Sequence, residues 1–160
     1  MLKYTVLPAL MMLAALPAVA QVPVEGNPNH EAMLASPNPV LAANKRLVYD
    51  FQREVLEGGH MELADKYLTE NYIQHNPNVP TGRAGFVKFF SQFSKPGTIE
   101  AKVKAPVVNV TAEGDIVVIS YRAKVLDPAN DKEPVTTTWF DMFRIENGKL
   151  AEHWDPSPKG

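Results

Sequence analysis

The stretch Val135–Asp155, VTTTWFDMFRIENGKLAEHWD, decides the fold. Apolar and polar residues alternate on both sides of Asn147-Gly148, a dipeptide that supplies the positive φ angles of a tight reversal. The segment therefore reads as a hairpin of two strands, Val135 to Ile145 and Leu150 to Trp154. Asp141, His153 and Asp155 stand out in it, because their neighbours favour a core. Two registers are open. A two-residue turn at Asn147-Gly148 sets Asp141 opposite Trp154 and Met142 opposite His153, which divides the polar groups between the two faces. A three-residue turn, Glu146-Asn147-Gly148 with Gly148 in a left-handed bulge, sets Asp141 opposite His153 and Trp139 opposite Asp155, which collects all three on one face. The second is expected, since Glu-Asn-Gly-Lys suits the longer loop and Phe140 and Trp154 then share the other face.

Working back from this hairpin, Ile116 to Leu126 is a strand entered through Glu113-Gly114, and Asp127 to Glu133 is a polar loop. Ile99, Ala101 and Val103 alternate with charged residues as a half-buried strand does, and the shift to Val108 and Val110 places a bulge at Pro106. The first half of the chain has the helical period instead. Asn38 caps a helix with Pro39 at its first position, and Val40, Leu47, Val48, Phe51 and Val55 form its buried face up to Gly58-Gly59. Met61, Ala64, Tyr67 and Leu68 mark a second short helix, ending before Tyr72-Ile73-Gln74-His75 and the Asn76-Pro77 turn. Thr81 caps a third, with Phe86, Phe89, Phe90 and Phe93 on its core side and Lys95-Pro96-Gly97 at its end. Helices first and an antiparallel sheet afterwards give an α+β domain.

Ahead of the helices, Lys3, the apolar run Tyr4 to Leu16 and Ala18-Val19-Ala20 have the pattern of a signal peptide at residues 1–20, cut after Ala20. The run is short for a bilayer and is broken by Pro8 and Pro17, so no membrane association is expected after cleavage, and the mature chain is expected to be periplasmic or secreted. Residues 21–37 read as a flexible lead-in with a solvated His30, in which Met33 and Leu34 are the residues able to dock, and residues 38–160 as one domain. The chain has no cysteine, which excludes disulfides, thiolate metal ligation, lipidation at the leader and a cysteine nucleophile. A net charge of −2 without basic runs argues against nucleic acid as a partner.

If Tyr72 to His75 is extended, Ile73 and His75 share a face, and a buried Ile73 carries His75 inward. Asn44 lies on the apolar stripe between Val40 and Val48. Asn44-Lys45 in a helix, Tyr72-Ile73-Gln74-His75-Asn76-Pro77 followed by Gly82-Arg83, and Phe143 to Lys149 leading into Glu152-His153-Trp154-Asp155 resemble the SnoaL-like family of the nuclear-transport-factor-2-like superfamily. The resemblance covers about residues 40 to 156. It implies a cone-shaped roll of three N-terminal helices packed into a strongly curved antiparallel sheet, often as a homodimer. It also implies a cofactor-free enzyme for aldol condensation, cyclisation or isomerisation of a carbonyl compound. Asp155 matches the catalytic aspartate of the namesake cyclase and His153 a neighbouring histidine, while Asp141 stands where that enzyme has a histidine.

Asp155 is accordingly the expected base, with His153, Asp141 and His75 as its catalytic partners, and Asn44, Tyr72, Trp139 and Phe143 as substrate contacts. The partner is expected to be a small apolar or carbonyl-bearing molecule. No metal is expected; a metal site would draw on His75, His153 and one of the two aspartates. Each residue also has a plainer role: Asp155 in solvent at a strand end, His75 bonded to a turn carbonyl, His60 on the surface, Arg144 and Glu152 as a cross-strand or dimer-interface charge pair, and the phenylalanines as core. The competing function is a non-catalytic pocket or a dimeric interaction domain. Convergence of Asp141, His153 and Asp155 in a water-poor cavity discriminates between the two.

Overall fold

The computed structural model describes residues 22–127 and 130–160, so the expected signal peptide and its cleavage point lie outside the described residues. Asn38 caps α2 (Pro39–Phe51) as expected, its side chain accepting from the Val40 and Leu41 amides, with Pro39 at the first turn. The helix then widens into a π-helical turn, Gln52–Glu57, that ends at Gly58. Val48, Phe51 and Val55 are buried, but Val40, expected on the same face, is 61% exposed in the first turn of the helix. Met61–Leu63 and α3 (Ala64–Tyr67) follow, burying Met61, Ala64 and Tyr67.

The lead-in departs from expectation. Asn29 caps a short helix, α1 (His30–Leu34), and His30, Met33 and Leu34 are buried. His30 is not solvated: its Nδ1 lies 2.5 Å from the Tyr49 hydroxyl, which also accepts from the Val103 amide at 2.9 Å. The Val24 amide donates to Thr136 Oγ1 and the Asn27 amide to the Val107 carbonyl, so the segment is strapped across the sheet. A Cβ on Gly26 would sit 2.9 Å from Pro106, which is why the strap can pass so close there. Met33 and Leu34, the two lead-in residues able to dock, do so and supply its apolar anchor.

Tyr49→Phe removes the hydroxyl that serves both His30 and Val103, and should lower unfolding free energy by about 1–3 kcal/mol in urea titrations. Burial, and after it the nearby Lys102 charge, holds the His30 imidazole below its ordinary value of 6.5. A group depressed on folding adds stability above its unfolded value that is lost as pH falls through the lower folded one. The urea midpoint should therefore drop further between about pH 7.5 and pH 5 in the wild type than in His30→Gln.

Five strands form one sheet in the order β1-β5-β4-β3-β2: β1 (Leu68–Gln74), β2 (Val107–Glu113), β3 (Ile116–Asp127), β4 (Asn130–Glu146) and β5 (Lys149–Trp154). The helices pack against this curved sheet in an α+β roll. All its neighbours are antiparallel except β1 and β5, which run parallel. The polar loop expected from Asp127 to Glu133 is shorter than its composition suggests, since β3 reaches Asp127 and β4 begins at Asn130.

Two further expectations fail in the middle of the chain. Residues 99–106 form no strand; Val103 is buried, but the Lys104 and Ala105 amides donate to the Glu57 carboxylate rather than to a neighbouring strand. The register slip falls between Val107 and Asn109, just after Pro106. Thr81 does not cap α4 (Arg83–Phe90), whose N-cap is Gly82; its hydroxyl bonds the backbone of Gln74. Phe86 is buried, whereas Phe93, beyond the helix end, is 74% exposed.

Candidate functional site

Both hairpin registers considered from sequence prove incomplete. Asn147 (φ 51°) and Gly148 (φ 72°) are both left-handed, so the connection is the two-residue turn and not the expected three-residue one. Glu146 pairs with Lys149 and Ile145 with Leu150, but the next pairs are Arg144 with Glu152, Phe143 with His153 and Met142 with Trp154. Ala151 is the extra residue of a bulge, and Leu150 and Ala151 are both buried in succession. One residue of slip at the bulge reverses the faces that the turn would otherwise set. Asp141, Phe143, His153 and Asp155 consequently share the inner face, while Phe140 and Trp154 share the outer one. Asp141 is not opposite His153, nor Trp139 opposite Asp155; continuing the register brings Asp155 level with Asp141.

The inner face meets a cavity of about 150 Å³ below α2 and α4. The helix side brings Phe51, Gln52, Leu56, Phe86 and Phe90 to it; the sheet wall carries Tyr72, Gln74, Asp141, His153 and Asp155 with Phe143 among them, and Asn76 and Val79 line it beyond β1. His153 Nε2 lies 3.5 Å from Asp141 Oδ1 and 4.0 Å from Asp155 Oδ2. The three converge, at separations just beyond a direct hydrogen bond.

Each member is held from behind. Gln74 Oε1 accepts from the Asn76 amide at 2.9 Å and lies 2.7 Å from His153 Nδ1, so Nδ1 must carry its proton and Nε2 is the nitrogen presented to the carboxylates. Asp141 Oδ1 accepts from Trp139 Nε1 at 2.8 Å and Oδ2 from Gln52 Nε2 at 3.3 Å. Asp155 Oδ2 accepts from Asn76 Nδ2 at 2.7 Å and Oδ1 from the Ser157 amide at 2.8 Å. Its side chain is only 7% exposed, so the open-solvent alternative for this strand end does not hold. Asn78 ties the same corner to the tail through Ser157, Pro158 and Gly160. Tyr72 is buried on this wall, and burial, then the Asp141 and Asp155 charges, push its phenol well above the ordinary value, so it stays a proton donor.

Three expected site residues lie elsewhere. Ile73 and His75 do share a face of β1, but it is the outer one, since Tyr72 takes the core; Ile73 is 39% exposed. His75 stacks on Trp154 with 5.0 Å between ring centroids and bonds Glu152 Oε1 at 2.8 Å. Asn44 reaches the Gly114 carbonyl at the β2–β3 turn instead of the cavity. Trp139 orients Asp141 and does not line the cavity. The expected Arg144–Glu152 cross-strand pair is present at 2.9 Å. His60 lies at the surface between Glu62 and the Gly97 carbonyl, two acceptors that raise its affinity for a proton.

Gln52, Gln74 and Asn76 were not anticipated. Gln52 sits where α2 passes into the π-helical turn, a register change that side-chain periodicity does not announce. Gln74 had a usable signal, because it alternates with Tyr72, an aromatic that seeks the core. Asp141, His153 and Asp155 also offer ligand atoms within 4.8 Å of one another, so they are able to hold a divalent ion. His75, which the two-histidine set requires, is not among them.

The profile of the SnoaL-like domain matches residues 48–153, from the buried centre of α2 to the site histidine. The chain belongs to the SnoaL-like domain family. Solved structures with this fold include a nuclear-transport-factor-2-like protein from Anabaena variabilis, 17% identical, covering 78% of this chain and 94% of that one with a TM-score of 0.51. A candidate polyketide cyclase from Acidithiobacillus ferrooxidans is 20% identical over 71% of this chain and 86% of its own, TM-score 0.50. An LEH-like epoxide hydrolase of M. tuberculosis is 13% identical over 71% and 80%, TM-score 0.50. At these identities the likeness is one of fold, and a SnoaL-like fold hosts unrelated reactions. A protein of Bifidobacterium animalis subsp. lactis called a probable phosphoketolase is 37% identical over 68 residues, 39% of this chain. The match spans 8% of that protein's length, and no activity is carried across on it.

Proposed function

We propose that this SnoaL-like domain is a cofactor-independent acid/base enzyme that moves a proton at the carbon next to a carbonyl group, as aldol and isomerisation chemistry requires. The observation that carries the reading is the single cavity wall on which two anchored carboxylates flank an imidazole whose far nitrogen is committed to Gln74. In the proposed step Asp155 takes the α-proton, and the C–H electron pair moves into the new C=C bond. The carbonyl oxygen becomes an enolate, which accepts a hydrogen bond from Tyr72 and, when His153 enters the step with a second proton on Nε2, a hydrogen bond or that proton from His153. Asp141 compensates the positive charge of His153 while Nε2 is protonated. Delivery of that proton from Asp155 to a different carbon of the conjugated enolate completes an isomerisation; in an aldol step the enolate attacks a second carbonyl and the proton passes from Asp155 to the alkoxide that forms.

The leader at residues 1–20 supports action outside the cytoplasm, and sequencing the N-terminus of the exported protein should begin at Gln21. Phe140, 51% exposed on the outer sheet face, supports a homodimer formed through that face. The chemistry is tested by incubating the protein with small ketones in D₂O and following loss of the α-proton signal by NMR. Measurable binding with no exchange above the buffer rate for every ketone would leave the non-catalytic pocket as the function.

A further inference from the structure

Given the proton-transfer reading, on which this inference rests, the cavity also restricts its substrate. We infer that the site takes small uncharged carbonyl compounds, of roughly ten or fewer non-hydrogen atoms, and turns away both anionic and polycyclic ones.

Size is the first restriction. Pockets that bury drug-sized ligands run to about 300–1,000 Å³, whereas an engineered cavity of about 150 Å³ in another protein is filled by benzene. The cavity here has that smaller volume, and rings close it on the helix side: Phe86 and Phe90 lie 4.5 Å apart, and Phe51 is 5.8 Å from Phe86 and 6.0 Å from Phe143. One six-membered ring, or a chain of similar bulk, fills the space; a second fused ring does not.

Charge is the second restriction. Asp141 and Asp155 put two acids on the polar wall, and among the described residues His153 is the only basic side chain that lines it, with neither lysine nor arginine beside it. A carboxylate, phosphate or thioester-linked nucleotide entering here would meet two acidic side chains and no lysine or arginine to offset them among the described residues. Two other grooves differ in this respect. The groove under the strap has Lys104 and Arg122, and that beside α4 has Arg83 and Lys88. Cations are therefore withheld from this cavity in particular. The aromatic wall favours an apolar body, and Tyr72 and His153 favour one hydrogen-bond acceptor on it.

The test compares cyclohexanone, 4-oxocyclohexanecarboxylate and 2-decalone for binding to the full chain by ligand-observed NMR, and for α-exchange in D₂O. Cyclohexanone should bind in the millimolar range or tighter, and each of the other two at least about tenfold more weakly. Asp155→Asn, which removes one negative charge, should narrow the gap between ketone and keto acid about tenfold while leaving decalone excluded. Equal binding of the keto acid or the decalone to the wild type would overturn the restriction, as would no binding of cyclohexanone at about 10 mM. The two ideas fail separately. The predicted binding order without exchange removes proton transfer and leaves the size and charge rule, whereas exchange of the bulky or anionic ketone as fast as cyclohexanone removes the rule and leaves proton transfer.

Discussion

Asp155→Asn is expected to slow α-proton exchange by about 10²- to 10⁴-fold, the range that a positioned general base supplies. The amide keeps the side chain's shape, but it has no carboxylate to receive a proton. Both Asp155 oxygens accept hydrogen bonds in the folded chain, from Asn76 and from the Ser157 amide, and an amide can replace only one of these. A loss of about 1–2 kcal/mol in unfolding free energy should accompany the kinetic loss. The exchange defect must therefore be measured where the variant is still fully folded, as judged by its denaturation curve. Undiminished exchange under those conditions would take the base role from Asp155.

Inserting one alanine between Ala151 and Glu152 should be more damaging still. The insertion leaves the two-residue turn and the bulge in place and adds one residue of slip beyond them, so every residue from Glu152 onward changes face. Glu152 would be driven inward without Arg144 and His75, its partners at 2.9 and 2.8 Å, and His153 and Asp155 would leave the cavity. Burying an unpaired carboxylate in this way costs about 3–5 kcal/mol, enough to remove most of the stability of a small domain. Circular dichroism during heating should show a much lower midpoint or no cooperative transition. A variant as stable as the parent would mean that the strand slips to restore its faces, and the proposed link between register and site would be lost.

The same hairpin shows how far sequence reasoning reached. Alternation and Asn147-Gly148 located both strands, because period and turn chemistry are local properties. That the polar residues share a face was anticipated, but by way of the wrong turn. A bulge at Leu150-Ala151 has no signature in two ordinary apolar residues; it exists because both side chains find room in the core. His75 failed for a related reason. Its face depended on whether Tyr72 or Ile73 wins the interior, and the larger aromatic, 1% exposed, takes it. Gln52 is set by a π-helical turn, and the strap through His30 by long-range bonds to Tyr49, Val107 and Thr136. These depend on contacts between segments far apart in the chain, which no local pattern records.

The tryptophans give the hairpin an optical consequence. The chain has two, on opposite faces of the sheet: Trp139 donates its indole N–H to Asp141 beside the cavity, and Trp154 stacks on His75 on the outer side. Ultraviolet emission excited at the indole band therefore carries one contribution from beside the cavity and one from the far side. A guest that draws Asp141 away alters the first fluorophore and leaves the second as an internal reference, so occupancy can be followed in unlabelled protein.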